Sequence, residues 1–162
     1  MSDLQRDMET LGGHLDYPMF IVTARSGDRT GGCLVGFCTQ CSVDPALYAV
    51  FISRKNFTHG IAVEADALGV HVVPRGREDL ARLFGEATGD DIDKFELCEW
   101  EPGPLGAPIL ESCKDWFVGS ILTRVETGDH TGFVIEPVAA EAHGEEFLPF
   151  SVAAHFTPGH EA

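Results

Sequence analysis

Three short stretches of this 162-residue chain carry side chains that could do chemistry. Cys38-Thr39-Gln40-Cys41 has the C-x-x-C spacing of redox pairs and of half a zinc site. Ser53-Arg54-Lys55-Asn56-Phe57-Thr58 gathers hydroxyls, an amide and adjacent cations, the groups that hold an anion. Gly128-Asp129-His130 sets an imidazole beside a carboxylate in a tight turn. A histidine titrates near neutral pH and can deliver a proton.

Each stretch has a plainer reading beside the chemical one. A structural zinc needs four ligands and a catalytic one three plus water, yet the chain has no second C-x-x-C. A thioredoxin-like pair opens a helix, whereas "GGCLVGF" before Cys38 reads as strand and "SVDP" then turns the chain. Along a strand, residues i and i+3 face opposite ways, so Cys38 and Cys41 are expected to share neither a disulfide nor a metal. They read as small residues where backbone lies close to something. The Ser53–Thr58 cluster is either an anion holder or a capped helix start with solvated charges. His130 is either a proton donor or a surface residue of a hairpin turn. His59 and His71 read as helix-face and strand residues, and Trp100 and Trp116 as core or interface.

The elements that must position these groups are mostly strands. "YPMFIVTARSGDRTGGCLVGF" predicts two strands around a polar turn, and "ALYAVFIS" and "ALGVHVV" predict two more. "DWFVGSILTRVETGDHTGFVIEPVAAEAH" predicts two long strands joined at Thr127-Gly128-Asp129. Helices are few. Leu80, Leu83, Phe84 and Ala87 fall on one helix face, with Glu78 and Asp79 in the favourable first turn. Phe57, Ile61 and Ala65 predict a second helix, capped by Asn56. Strands that do not alternate regularly with helices argue against a doubly wound sheet and favour a β-barrel with helices in its connections. One domain is expected over residues 1–162, with an N-terminal extension at 1–16 and a C-terminal tail at 145–162. That tail, apolar in places, is expected to pack on a neighbouring subunit.

Composition narrows the partners. With 26 acidic and 11 basic side chains the net charge is −15, which repels nucleic acid and anionic lipid. No apolar run reaches the length of a membrane span, and the polar start lacks the features of a signal peptide. The five cysteines are odd in number and the chain is large enough to need no staples. A cytoplasmic protein with free thiols is expected. An anion bound by so acidic a chain must find a local basic cluster. No Walker or dinucleotide glycine fingerprint is present to supply one.

Taken together, the Pro-led first strand, Ser42-Val43-Asp44-Pro45, Arg54 to Thr58, Asp93-Lys94-Phe95, Gly106 to Leu110 and Gly128-Asp129-His130 resemble the flavin-reductase-like family. The similarity runs from about Tyr17 to Glu141. It implies a mostly β fold, an FMN-binding split β-barrel (a Greek-key-like antiparallel barrel) with short helices in its connections, generally a homodimer. It implies that Gly36, Phe37, Cys38, Thr39, Gln40, Cys41 and Ser42 lie along FMN. It also implies that Ser53, Arg54, Lys55, Asn56 and Thr58 hold its phosphate. His130, with Asp129, would stand on the nicotinamide side as the catalytic pair, with no metal. The implied activity is NAD(P)H-dependent reduction of flavin, which would leave for a partner oxygenase or stay bound. The chain departs from the family pattern at Leu34-Val35-Gly36-Phe37 and at Asp44-Pro45-Ala46. The alternatives are a non-enzymatic flavin module, or a split barrel for another ligand such as haem or a deazaflavin.

Overall fold

The computed structural model describes residues 1–160. A helix α1 (Asp3–His14) precedes β1 (Phe20–Ser26) and β2 (Arg29–Val35), which form a hairpin about Gly27. Then follow β3 (Cys38–Val43), β4 (Ala46–Ser53), α2 (Phe57–Ala62), β5 (Ala67–Val72) and α3 (Glu78–Glu86). Short strands β6 (Trp100–Pro102) and β7 (Pro108–Leu110) precede the long pair β8 (Trp116–Glu126) and β9 (His130–Glu141). A single turn of helix, α4 (Phe150–Ala153), lies near the end.

Seven strands make one antiparallel sheet in the order β2-β1-β5-β8-β9-β4-β3. The expected barrel is not closed. β2 and β3 follow one another in the chain but lie at opposite edges of the sheet. Only Gly36 and Phe37 join them, so the chain crosses from one edge to the other without a hairpin. The gap is bridged by side chains instead of a hydrogen-bond ladder. Cys33 and Val35 of β2 share one buried cluster with Val50 and Ile52 of β4 and Phe133 and Ile135 of β9.

A second cluster covers the other face of β1. Ile21 packs there with Leu80, Ala81 and Phe84 of α3, as the periodicity of that helix requires, while Val22 and Ala24 face the first cluster. Burial on both faces explains the continuous apolar run in β1. His71 is a core residue. Its ring hydrogen-bonds the Ile21 carbonyl at 2.9 Å through Nδ1 and accepts from Leu110 N at 3.1 Å. Burial pulls its pKa down to about 4. Lys94 is buried too, with Nζ donating to the carbonyls of Gly32 at 3.1 Å and Phe84 at 3.0 Å. It ties β2 to α3. The cavity of about 270 Å³ that it borders under Gly31 and Gly32 is therefore lined by an ammonium already bound to backbone.

The two ends of the fold pack differently. α1 is capped by Ser2 and has no buried residue. The C-terminal stretch packs on its own chain. Leu148 is 1% exposed, donates to Val73 O at 2.8 Å and accepts from Met19 N at 2.9 Å. Among the described residues no helix is long and apolar enough to cross a membrane.

Candidate active site

The groups predicted from distant stretches meet where β2, β4 and the β8–β9 hairpin end. Strand register does the first part of the work. β4 pairs with β9 so that Ser53, the last residue of β4, lies opposite His130, the first of β9. The chain then turns into α2, where Asn56 caps the helix by accepting from Thr58 N at 2.9 Å. Ser53 Oγ accepts from Lys55 N at 3.3 Å.

Gly36 brings backbone to the same place. A Cβ there would lie 2.7 Å from the Tyr17 ring, so any side chain would push the first strand's entry aside. Tyr17 in turn stacks on Phe150, with ring centres 4.7 Å apart and planes 10° apart. Phe37 is 57% exposed, and its ring centre lies 5.4 Å from that of His130.

The result is a cleft of about 230 Å³ with two kinds of lining. Tyr17, Phe37, Phe51 and Phe150 give it aromatic surface, and Ser53, Asn56, His130 and His160 give it polar groups. A second groove of about 600 Å³ shares Tyr17, Gly36, Phe37 and Phe51 with it and continues past Cys38, Thr39, Gln40 and Tyr48. Such a surface suits a ligand with a flat, mostly apolar ring and a polar tail.

Of the expected site residues, Gly36, Phe37, Ser53, Asn56 and His130 line the cleft, and Cys38, Thr39 and Gln40 line the adjoining groove. Cys41 and Ser42 line neither. Cys41 sits at a bulge, where Gln40 pairs with Tyr48 and Ser42 with Leu47, and it is exposed. Cys38 packs toward the first cluster, and burial drives its thiol up to about 12. The bulge breaks the strict alternation assumed from the sequence, yet it still leaves one thiol inward and one in solvent. The Thr58 side chain does not face the cleft. It is 1% exposed under Gly31, where its hydroxyl hydrogen-bonds Cys33.

Arg54 is turned to the hairpin. Its guanidinium donates to the carbonyls of Thr127, at 2.6 Å, and Gly128, and its N–H donates to Asp129 O at 3.0 Å. Asp129 lies outside the cleft lining but holds His130, with Oδ1 2.6 Å from Nδ1. That hydrogen bond, then the imidazole's charge, keeps the Asp129 carboxyl below its ordinary range. His59 stands behind, 2.8 Å from the Thr131 hydroxyl, its pKa lowered by burial and then by Arg54.

The family model for the flavin reductase like domain matches residues 12–155. The chain belongs to the flavin reductase like family. Within that family it is similar to a ferric-chelate reductase (NAD(P)H) of Archaeoglobus fulgidus, 29% identical over 78% of this chain and 76% of the relative. It is similar in structure to an FMN-binding protein from Thermus thermophilus, solved with bound 1-cyclohex-2-enone. There the TM-score is 0.73 at 31% identity over 78% of this chain and 71% of that one. The NADH:FAD oxidoreductase SgcE6 of Streptomyces globisporus shares the fold of this flavin reductase like chain. Its TM-score is 0.82 at 23% identity, over 92% of this chain and 90% of that one. Other relatives are longer. The chain spans 23% of a diflavin flavoprotein of Nostoc sp. and 57% of a high molecular weight rubredoxin of Moorella thermoacetica.

Sequence reasoning missed Tyr17, Phe51, Phe150 and His160. Phe51 was legible as an alternate position of a strand that ends in the site. Tyr17, Phe150 and His160 carry no local motif, and only the fold of the two chain ends brings them there.

Proposed function

We propose that this chain is an NAD(P)H-dependent flavin reductase that binds FMN in the cleft. One observation carries the reading: aromatic side chains, a hydroxyl and an amide line one cleft together with His130, in a chain of the flavin reductase like family. The naming of relatives as ferric-chelate reductase (NAD(P)H) and FMN reductase (NADH) supports it. Tyr17, Phe37 and Phe51 offer the ring flat apolar surface and exclude water, and the backbone of Gly36 to Thr39 lets it approach closely. Ser53, Lys55 and Asn56 hold the phosphate, while Thr58 supports them from below. Bound FMN supplies the two-electron acceptor for hydride from nicotinamide. His130, fixed by Asp129, orients the nicotinamide and holds a proton beside it.

The working unit is a homodimer. Leu122 and Val125 of β8 and Val138 of β9 are 52%, 47% and 52% exposed, apolar surface that a second copy would cover. The site of action is the reducing cytoplasm, in keeping with five cysteines that are all unpaired. Reduced flavin either leaves for an acceptor such as a flavin-dependent oxygenase or stays bound.

The test is oxidation of NADH and of NADPH by purified protein with FMN, together with titration of FMN against the apoprotein. Saturable FMN binding with steady turnover by either nucleotide is expected. FMN bound without turnover would leave a flavin-binding module, the reading that likeness to the Thermus FMN-binding protein favours. No flavin binding at all would sink both.

A further inference from the structure

Two side chains tie the segment around α2 to the hairpin that carries His130. Arg54 reaches its turn, at the carbonyls of Thr127 and Gly128. His59 reaches β9 itself, with Nε2 2.8 Å from Thr131 Oγ1. Neither His59 nor Thr131 lines the cleft. Each is nevertheless one step from a residue that does.

On one side the steps are backbone hydrogen bonds. His59 N donates to Asn56 O at 3.0 Å, and Asn56 N donates to Ser53 O at 3.0 Å. Ser53 and Asn56 supply the hydroxyl and the amide of the cleft. On the other side the step is a peptide bond. Thr131 follows His130 in β9, pairs with Ile52 of β4 and Glu126 of β8, and is 6% exposed. Neighbouring side chains on a strand face opposite ways. While Thr131 is held inward, His130 is turned to the cleft. Packing steadies the His59 ring, which stands edge-on to the buried Phe133, with centres 6.5 Å and planes 68° apart. Burial, then Arg54, lowers its pKa, so the ring is neutral near pH 7 and keeps one donor and one acceptor.

We propose that His59 is a positioning residue through which the tail of the flavin regulates chemistry at its ring. The proposal rests on the reading that the cleft takes a phosphorylated flavin and that His130 meets the nicotinamide. A phosphate held at Ser53 and Asn56 steadies the start of α2. His59 passes that order to Thr131, and His130 is fixed against the nicotinamide. The consequence is a preference for FMN over riboflavin in rate, beyond any preference in affinity. Its size is set by the neutral hydrogen bond that carries it, about 3- to 10-fold.

The experiment is single-turnover bleaching of bound flavin at neutral pH, with the nucleotide that wild type uses better. Saturating FMN and saturating riboflavin are compared in wild type, His59→Leu, His59→Gln, Thr131→Val and the double variant His59→Leu/Thr131→Val. A flavin titration and a melting curve accompany each. Wild type should reduce FMN about 3- to 10-fold faster than riboflavin. In His59→Leu and Thr131→Val the FMN rate should fall to the riboflavin rate, which itself changes less than about 2-fold. The double variant should be no slower than the slower single one, because both changes remove the same bond. His59→Gln keeps a donor and an acceptor and should recover part of the difference. Equal rates for the two flavins in wild type, or a wild-type ratio kept in both single variants, would overturn the proposal. So would an equal slowing of both flavins, the mark of a merely structural role. A wild type that binds neither flavin, or binds them without reduction, would instead remove the reading beneath it. If Thr131→Val melts early, His59→Leu and His59→Gln decide.

Discussion

Arg54 and Thr127, 73 residues apart, are joined by a guanidinium-to-carbonyl hydrogen bond of 2.6 Å. One of the two cations that the sequence offers to an anion is thus spent on the hairpin that carries His130. Arg54→Met removes that brace and leaves the backbone bond from Arg54 N to Asp129 O in place. The hairpin should loosen while the cleft keeps Ser53 and Asn56. Flavin reduction is expected to slow about 3- to 10-fold, with FMN affinity changed less than about 2-fold. Stopped-flow bleaching and a flavin titration measure the two. A large loss of FMN affinity with an unchanged rate would return Arg54 to the phosphate.

The cysteines differ enough to be told apart by reactivity. Burial pushes Cys33 up to about 11 and Cys38 and Cys113 up to about 12, and it also raises Cys98. A thiolate is the reactive form, so these four react slowly at neutral pH. Cys41, exposed on its bulge, should give one fast equivalent with a thiol reagent in the native protein. Cys41→Ser should abolish the fast phase and leave flavin reduction intact. Loss of reduction in Cys38→Ser or Cys41→Ser would revive a redox pair.

These details mark where sequence was enough and where it was not. The β1–β2 and β8–β9 hairpins, the α3 face and the Asn56 cap follow from local rules, period and turn chemistry, which act within a few residues. Ser53, Asn56 and His130 were found because each ends or begins such an element. The open sheet was not legible, because it depends on Gly36 and Phe37 carrying the chain between opposite edges, a long-range choice. Thr58 shows the limit within one motif. Its hydroxyl turns under Gly31 because the helix it opens packs on β2, and the spacing of Ser53 to Thr58 says nothing of that. The chain ends were least legible: Tyr17, Phe150 and His160 owe their place to tertiary packing alone.

His71 predicts how stability depends on pH. Its pKa is about 4 in the fold against an ordinary 6.5, because it is buried and neutral between Ile21 O and Leu110 N. Above pH 6.5 neither state binds the proton and nothing is lost. Between 6.5 and 4 the unfolded chain takes it up and the folded chain does not, so stability falls as pH falls. The loss should approach roughly 3 kcal/mol at the low end of that window. His71→Gln keeps one donor and one acceptor but cannot titrate. Urea unfolding from pH 7.5 to 4.5 should show a shallower decline in this variant. An equal slope in both proteins would assign the acid sensitivity elsewhere.

His130 bears on the chemistry itself. Its imidazole is held at one nitrogen by Asp129, lies 5.4 Å from Phe37 between ring centres, and sits across from Ser53 in the sheet register. A residue so placed, against the Phe37 ring, meets what stacks in the cleft more directly than it meets a phosphate. In His130→Ala, FMN affinity should therefore change less than about 3-fold. Hydride transfer should slow by roughly 10²–10⁴-fold if the imidazole handles a proton, and by less if it only orients the nicotinamide. Asp129→Ala removes the orienting bond but keeps the ring, so it should give a milder form of the same defect. Single-turnover bleaching of bound flavin by NADH and by NADPH, across pH, separates the roles. A proton-handling residue leaves an ionisation in the wild-type rate profile that disappears in His130→Ala, whereas an orienting one leaves the profile's shape alone. A wild-type rate retained in His130→Ala would remove the residue from the mechanism.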